Sequence, residues 1–211
     1  MNTTFANFTL LENALLKRDL STLRNKHTPN PIFRATLERI SEVMAVEICR
    51  TFPLDSFDYE TPLEATIGYK FKESFLIAPV LRAGLGLQNG FLKFLPDATV
   101  SHIGISRDHQ THEPHFYYSN IPEHIETLHA IVLDPMLATG GSATMATSLL
   151  KEKGAKKLTL VSVVAAPEGV EYFSKHHPDV HIFAAALDRE LNPNKYILPG
   201  LGDAGDRIFG T

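Results

Sequence analysis

Ile131-Val132-Leu133-Asp134-Pro135-Met136-Leu137-Ala138-Thr139-Gly140-Gly141-Ser142 carries an apolar run into an acid, then through two glycines and a hydroxyl into a helical pattern. That order predicts a strand, a cradle and a helix. A phosphate needs several donors converging on one point, and the first backbone N–H groups of a helix have no intrahelical partner and lie at the positive end of its dipole. Gly140 and Gly141 leave the approach open, while Thr139 and Ser142 add hydroxyls. Ser142 also suits the helix N-cap. Asp134 would repel a phosphate and is better matched to the two hydroxyls of a ribose, from which a carboxylate accepts hydrogen bonds. The plainer alternative is a carboxylate that caps a turn and glycines that end a strand. Neither dinucleotide-binding nor Walker spacing is present.

On both sides of this stretch, short apolar runs alternate with helical patterns. Phe75 to Val80, Val100 to Ile105, Ala130 to Leu133, Leu158 to Ala165 and Val180 to Leu187 read as strands; Leu85 to Leu95, Ser142 to Lys153 and Gly169 to His176 read as helices. Gly154 fits a helix C-terminus and Pro96 a helix stop. Continuous apolar strands between helices predict an α/β fold, a mostly parallel sheet covered by helices on both faces. Ligands of such sheets bind at the carboxyl ends of the strands, so the loops there should gather on one rim. Residues 1 to 52 read as helical, with Phe33, Leu37, Ile40, Met44 and Ile48 along one face and Pro31 in a first turn. From about Phe52 to Gly68 the helical period is lost, which predicts an extended segment or hairpin at the edge of the body.

The 211 residues suit one domain able to bury a sizeable core, and 44% hydrophobic with 21% charged residues is ordinary for a globular enzyme. A net charge of −4, from 20 Lys and Arg against 24 Asp and Glu, argues against a nucleic-acid binder. It leaves room for a small anion met by local donors. The single cysteine, Cys49, excludes an intrachain disulfide and a cysteine zinc site; on an apolar helix face it reads as core, not as a nucleophile. No secretory pattern or membrane-length apolar run is seen, so a cytoplasmic protein is expected, with no membrane partner.

Two further loops follow strands. Leu81-Arg82-Ala83-Gly84-Leu85-Gly86 places one arginine among small residues, an arrangement that sets a planar guanidinium and backbone donors against an anion. Ser106 to Tyr118 is too long for a tight turn and reads as a lid with Arg107 at its base. His109, His112 and His115 within it are read as solvated, since their spacing fixes no metal geometry. The stretch Tyr196 to Thr211 holds four glycines, a proline and two aspartates before returning to apolar residues, which describes an ordered loop whose backbone groups can read the polar edge of a pyrimidine.

Together these residues resemble the uracil phosphoribosyltransferase family. Val80 to Gly86, Asp134 to Ser142, Val164-Ala165-Ala166-Pro167-Glu168-Gly169 and Pro199 to Thr211 stand as that family has them, and Leu23-Arg24-Asn25-Lys26-His27-Thr28 followed by Phe33-Arg34 is similar. The resemblance implies a phosphoribosyltransferase-like single domain over 1–211: an N-terminal helical region with an extended appendage (1–73), a core sheet (74–190) with a lid (106–120), and a uracil-binding hood (191–211). It implies that uracil displaces diphosphate from 5-phosphoribosyl 1-diphosphate (PRPP) to give UMP, with Mg2+ riding on PRPP and no direct protein ligand. Carried over by position, Arg82 and Arg107 contact the diphosphate and Asp134 the ribose. The stretch Pro135, Met136, Leu137, Ala138, Thr139, Gly140, Gly141 and Ser142 holds the phosphoribosyl group. Ile197, Gly202 and Ala204 take uracil, and Asp203 sits where both substrates meet. Arg107, Asp134 and Asp203 are the implied catalytic residues. A homodimer or higher homo-oligomer is implied too, and GTP activates some relatives. Two departures stand out: Ser106 where the family usually has tyrosine, and the histidines of the lid. A phosphoribosyltransferase for another base, or an RNA-binding pyrimidine regulator on the same fold, are the competing readings.

Overall fold

An apolar run without alternation can bury both faces only in the middle of a layered sheet, and that is where the runs lie. The computed structural model describes residues 5–107 and 114–211, Arg107 and Pro114 by backbone alone. Its elements are β1 (Phe8–Leu10), α1 (Ala14–Arg24), α2 (Asn30–Cys49), β2 (Leu54–Glu60), β3 (Ala65–Phe71), β4 (Ser74–Leu81), α3 (Leu85–Phe94), β5 (Thr99–Val100), β6 (Ile103–Arg107), β7 (Pro114–Ser119), β8 (Leu128–Leu133), β9 (Met136–Leu137), α4 (Gly141–Glu152), β10 (Lys157–Ala165), α5 (Pro167–His176), β11 (His181–Leu187), β12 (Glu190–Leu191), β13 (Ile197–Leu198) and α6 (Ala204–Phe209).

The main sheet runs β1-β11-β10-β8-β4-β6-β7, with β5 on β4 and β9 on β10. Its pairings are parallel except β6 with β7. Alternate residues of each strand serve opposite cores. Ile77, Ile131, Leu133, Val161 and Val163 pack with α1, α2 and α3 on one face. Leu76, Ala78, Ala130, Val132 and Leu160 pack with Ala146 and Leu150 of α4 and with Phe173 of α5 on the other. Order along the sheet reverses between β4 and β8, because the chain adds β5 and β6 on one side of β4 and β8, β10 and β11 on the other. The crevice beyond the carboxyl ends at such a reversal is where these sheets bind ligands.

Three expectations need correction. Residues 1–52 are not wholly helical: Phe8–Leu10 forms the edge strand β1, paired with Ile182 to Ala184, too short to show a period. The strand expected over Val100 to Ile105 is two pieces, β5 and β6, each on β4. The lid region is in part a hairpin, since β7 pairs with β6. The expected appendage is the hairpin β2–β3, paired from Leu54↔Phe71 to Glu60↔Ala65 and exposed along most of both strands. Phe71 anchors its base in edge contacts with Phe52 and Phe75.

Candidate active site

β8 delivers Asp134 to the sheet's carboxyl edge, and the sheet itself holds the turn that follows. Asp134 N–H donates to the Val161 carbonyl (3.1 Å), and the Asp134 carbonyl accepts from the Ser162 hydroxyl (2.6 Å). The Pro135 carbonyl accepts from Val163 and Val164 N–H, both at 3.0 Å. Asp134 is 8% exposed, and its Oδ1 accepts from Met136 N–H at 3.3 Å. Residues 134–140 are therefore built on β10 through β9, not left as a free loop.

The turn ends at Gly140, whose φ of +82° lies in the left-handed region and which caps α4. A Cβ there would also approach the Gly169 carbonyl at 2.8 Å. Glycine is thus required twice over, for backbone conformation and for closeness to α5. Ser142 is not the N-cap, contrary to expectation: the chain has turned by Gly140, and Ser142 sits buried within the first turn of α4. Thr139 Oγ1 lies 3.4 Å from Gly141 N. The opening N–H groups of α4 come directly after this turn, in the place where an anion is favoured.

Arg82 follows β4 across a cis Leu81–Arg82 peptide bond. Its guanidinium reaches toward the C-terminal segment, 3.4 Å from Asp206 Oδ1 and 5.6 Å from the centre of the Phe209 ring. That segment is ordered by its own contacts. β12 and β13 form a small antiparallel pair, Leu198–Pro199 is cis, and Asp203 caps α6 by accepting from Asp206 N–H at 3.0 Å. The tail expected as an ordered loop thus contains a short strand and a helix.

One cavity of about 540 Å3 lies between these parts. Its lining includes Arg82, Asp134, Met136, Ala138, Thr139 and Ser142 from the sheet side, and Ile197, Gly202, Asp203 and Ala204 from the C-terminal side. Pro135, Leu137, Gly140 and Gly141 support this lining without forming part of it. Arg107 ends β6, and its side chain lies outside those described. His109 and His112 lie outside the described residues, and His115 is exposed on β7. The acid-to-glycine turn and the glycine-studded terminus face one space of the size that holds a small ligand.

A family model described as uracil phosphoribosyltransferase matches residues 10–211. The chain belongs to the uracil phosphoribosyltransferase family. It is 50% identical over 205 residues to the uracil phosphoribosyltransferase of Salinibacter ruber, covering 97% of this chain and 98% of that one. It is 49% identical over 205 residues to that of Lacticaseibacillus paracasei, with the same coverage. A solved structure of a protein from Aquifex aeolicus superposes with a TM-score of 0.92 at 33% identity, covering 97% of this chain and 98% of that one. An adenine phosphoribosyltransferase from Trypanosoma brucei shares the fold at 10% identity, with a TM-score of 0.60, covering 89% of this chain and 86% of that one.

Within this uracil phosphoribosyltransferase family member, sequence reasoning missed part of the cavity. Asn194 and Lys195 line it from the tip between β12 and β13, beside Tyr196; Gly205 and Asp206 line it from α6. Asn192-Pro193-Asn194-Lys195 carries a turn signal, but nothing in it announces a ligand. Lys195 takes a φ of +64° at that turn. Among the described residues, no three His, Cys, Asp or Glu side chains group to hold a metal, and no helix is long and apolar enough to cross a membrane. Cys49 is half-buried against the core, which pushes its thiol pKa up to about 11. Such a thiol is a poor nucleophile at neutral pH.

Proposed function

We propose that this chain transfers the 5-phosphoribosyl group of PRPP to uracil, forming UMP and diphosphate in pyrimidine salvage. One observation carries the reading: the Asp134–Ser142 turn and the 197–206 segment line the same cavity, with Arg82 reaching between them. The opening turn of α4 takes the 5′-phosphate, and Thr139 and Ser142 add hydroxyls. Asp134 accepts from the ribose hydroxyls. Ile197, Gly202 and Ala204 read uracil largely through backbone groups.

Displacement at the anomeric carbon builds positive charge on the sugar and negative charge on the leaving diphosphate. The chain's task is then positioning and charge stabilisation. Holding two reactants in line can supply about 7 to 11 kcal/mol of a barrier. Arg82 and Arg107 serve the leaving group, where the loss of one preorganised donor costs about 3 to 4 kcal/mol. Asp203 stands at the meeting point, as a base for the uracil proton or as a charge facing the sugar cation. Asp134 and Asp203 present hard carboxylate oxygens to the cavity, which suits a magnesium carried in on PRPP and requires no three-ligand protein site. Bound to PRPP, magnesium would supply charge neutralisation at the diphosphate, with Arg82 and Arg107 beside it.

The exposed arm β2–β3 supports a homodimer or larger assembly, because Leu54, Phe57, Tyr59, Leu63, Ile67 and Tyr69 are all exposed on it. A cytoplasmic location follows from the substrates, both soluble metabolites.

The test is a steady-state assay with PRPP, magnesium and a panel of uracil, cytosine, orotate and hypoxanthine, run with and without GTP to read an effector. Uracil is expected to be the base consumed. Cytosine reverses two hydrogen-bond directions and leaves buried groups unpaired, so it should react less than a tenth as fast. A comparable cytosine rate would sink the assignment of the base.

A further inference from the structure

Leu23 to Thr28 and Phe33-Arg34 belong to the family-like pattern of the sequence, yet none of these residues lines the cavity. The structure gives them a different task. Arg24, the last residue of α1, donates from Nη2 to Asp188 Oδ1 at 2.6 Å and from Nη1 to Asp188 Oδ2 at 2.7 Å. Nη1 also donates to the Gly200 carbonyl at 2.8 Å. Asp188 Oδ2 in turn accepts the Gly200 N–H at 2.8 Å. Both backbone groups of Gly200 are thus held by one two-pronged ion pair, whose carboxylate is 6% exposed. Asp188 is itself fixed just past β11, its N–H donating to the Ala165 carbonyl at 2.8 Å.

The grip is returned from the other side. Arg207 of α6 donates from Nη1 to the carbonyls of Leu23 and Leu201, and from Nη2 to that of Asn25. Its guanidinium lies 4.4 Å from the centre of the Phe33 ring. The last carbonyls of a helix lack intrahelical partners and attract cations, so the end of α1 is a natural seat for this arginine. Arg34 of α2 donates to the Ile208 carbonyl at 2.8 Å. The segment from Gly200 to Ile208 is therefore held near its start by Arg24 with Asp188 and by Arg207, and near its end by Arg34. Gly202, Asp203 and Ala204 hang between these points, over the cavity.

We propose that Arg24, Asp188 and Arg207 form a clasp of positioning residues that sets Gly202–Ala204 over the cavity, and so governs affinity and selectivity for the nucleobase more than for the phosphoribosyl donor. This rests on the reading of residues 197–204 as the base site. Backbone recognition has no side chain to adjust, so its accuracy is only as good as what holds the backbone. A misplacement of about 1 Å made far from the reacting atoms can cost about a hundredfold.

The test compares Arg24→Gln, Arg24→Lys, Asp188→Asn and Arg207→Gln with the unaltered enzyme, reading KM for uracil, KM for PRPP, the cytosine-to-uracil rate ratio, and PRPP binding by calorimetry without any base. Arg24→Gln and Asp188→Asn should raise the uracil KM at least tenfold and raise the cytosine ratio, with the PRPP Kd within twofold. Arg24→Lys should fall between, since an ammonium keeps the charge but cannot form the fork. Equal rises in both KM values would make the clasp merely structural and overturn the proposal, as would unchanged uracil kinetics. Hydrogen exchange of the unaltered enzyme without ligand gives a readout that no folding defect can obscure: the amide of Gly200, which donates to Asp188, should be protected before base binds. Free exchange there would also overturn it. An unaltered enzyme that fails to consume uracil would instead sink the assigned base and leave the donor-binding measurements interpretable.

Discussion

Asp203 Oδ1 accepts the N–H of Asp206 at 3.0 Å, so one carboxylate both starts α6 and faces the cavity. The proposed function gives this residue a chemical role beside its structural one, and two substitutions separate them. Asparagine caps a helix about as well as aspartate, whereas alanine does not and costs about 1 kcal/mol. Asp203→Asn should keep the thermal midpoint of the unaltered protein while turnover falls about a hundredfold, the lower edge of what a lost acid–base contribution produces. Asp203→Ala should lose both. Full activity in Asp203→Asn would remove the carboxylate from the chemistry and leave it a cap.

Arg82 offers the opposite separation. Its ion pair with Asp206 spans 3.4 Å, and both side chains are more than half exposed. Such a pair contributes at most about 1 kcal/mol. Arg82→Ala should therefore leave the midpoint of chemical unfolding nearly unmoved while lowering kcat at least about tenfold through weaker stabilisation of the diphosphate. The same fall is expected of Arg107→Ala, and an unchanged rate there would take the lid out of the mechanism.

The elements that could be read in advance are those whose physical signal is local. Continuous apolar runs announced β4, β8, β10 and β11, and small residues at their ends announced the rim. β1 was hidden because Phe8–Leu10 has no room for a period and owes its existence to β11, far along the chain. Ser142 has the residue type of a cap, yet Gly140 completes the turn through a left-handed φ that either glycine could supply, so the sequence does not fix which residue caps α4. Asn194 and Lys195 carried only the signal of a turn, and their position at the cavity is a product of the β12–β13 pairing. The Arg24–Asp188 contact spans 164 positions and has no sequence pattern of its own.

Gly169 supports the cavity without lining it. It belongs to the first turn of α5, and a Cβ there would run into the carbonyls of Leu137, at 2.6 Å, and Ala138. Both obstacles are backbone atoms of the 134–140 turn, so the turn and not a flexible side chain would have to move. Gly169→Ala should cost about 1 to 3 kcal/mol of stability, the usual range for overpacking. Its kinetic effect should be a raised KM for PRPP with the cytosine-to-uracil ratio unchanged, the reverse of the pattern expected at Arg24. A rise in the uracil KM alone would mean that the two sides of the cavity are not held independently.

His177 makes stability depend on pH away from the active site. It is 5% exposed; Nε2 lies 3.2 Å from both the Thr144 carbonyl and the Ser148 hydroxyl, while Nδ1 has no hydrogen-bond partner among the described residues. Burial lowers its pKa below the usual histidine value of 6.5; the bond to Thr144 works in the opposite sense but does not prevail. His181 is lowered by burial as well. A histidine whose pKa is depressed in the folded state binds fewer protons there than in the unfolded chain, so stability rises with pH across the interval between the two values. The contribution is complete above about pH 6.5, the unfolded value, and is lost as pH falls through the folded one. The unfolding free energy should therefore drop as pH falls from 7 toward 5, and His177→Gln, which keeps a donor for Thr144 but cannot be protonated, should flatten that slope while being less stable than the unaltered protein at pH 7. Denaturant titrations at closely spaced pH values measure both slopes, and parallel curves for the two proteins would show that the acid sensitivity originates elsewhere.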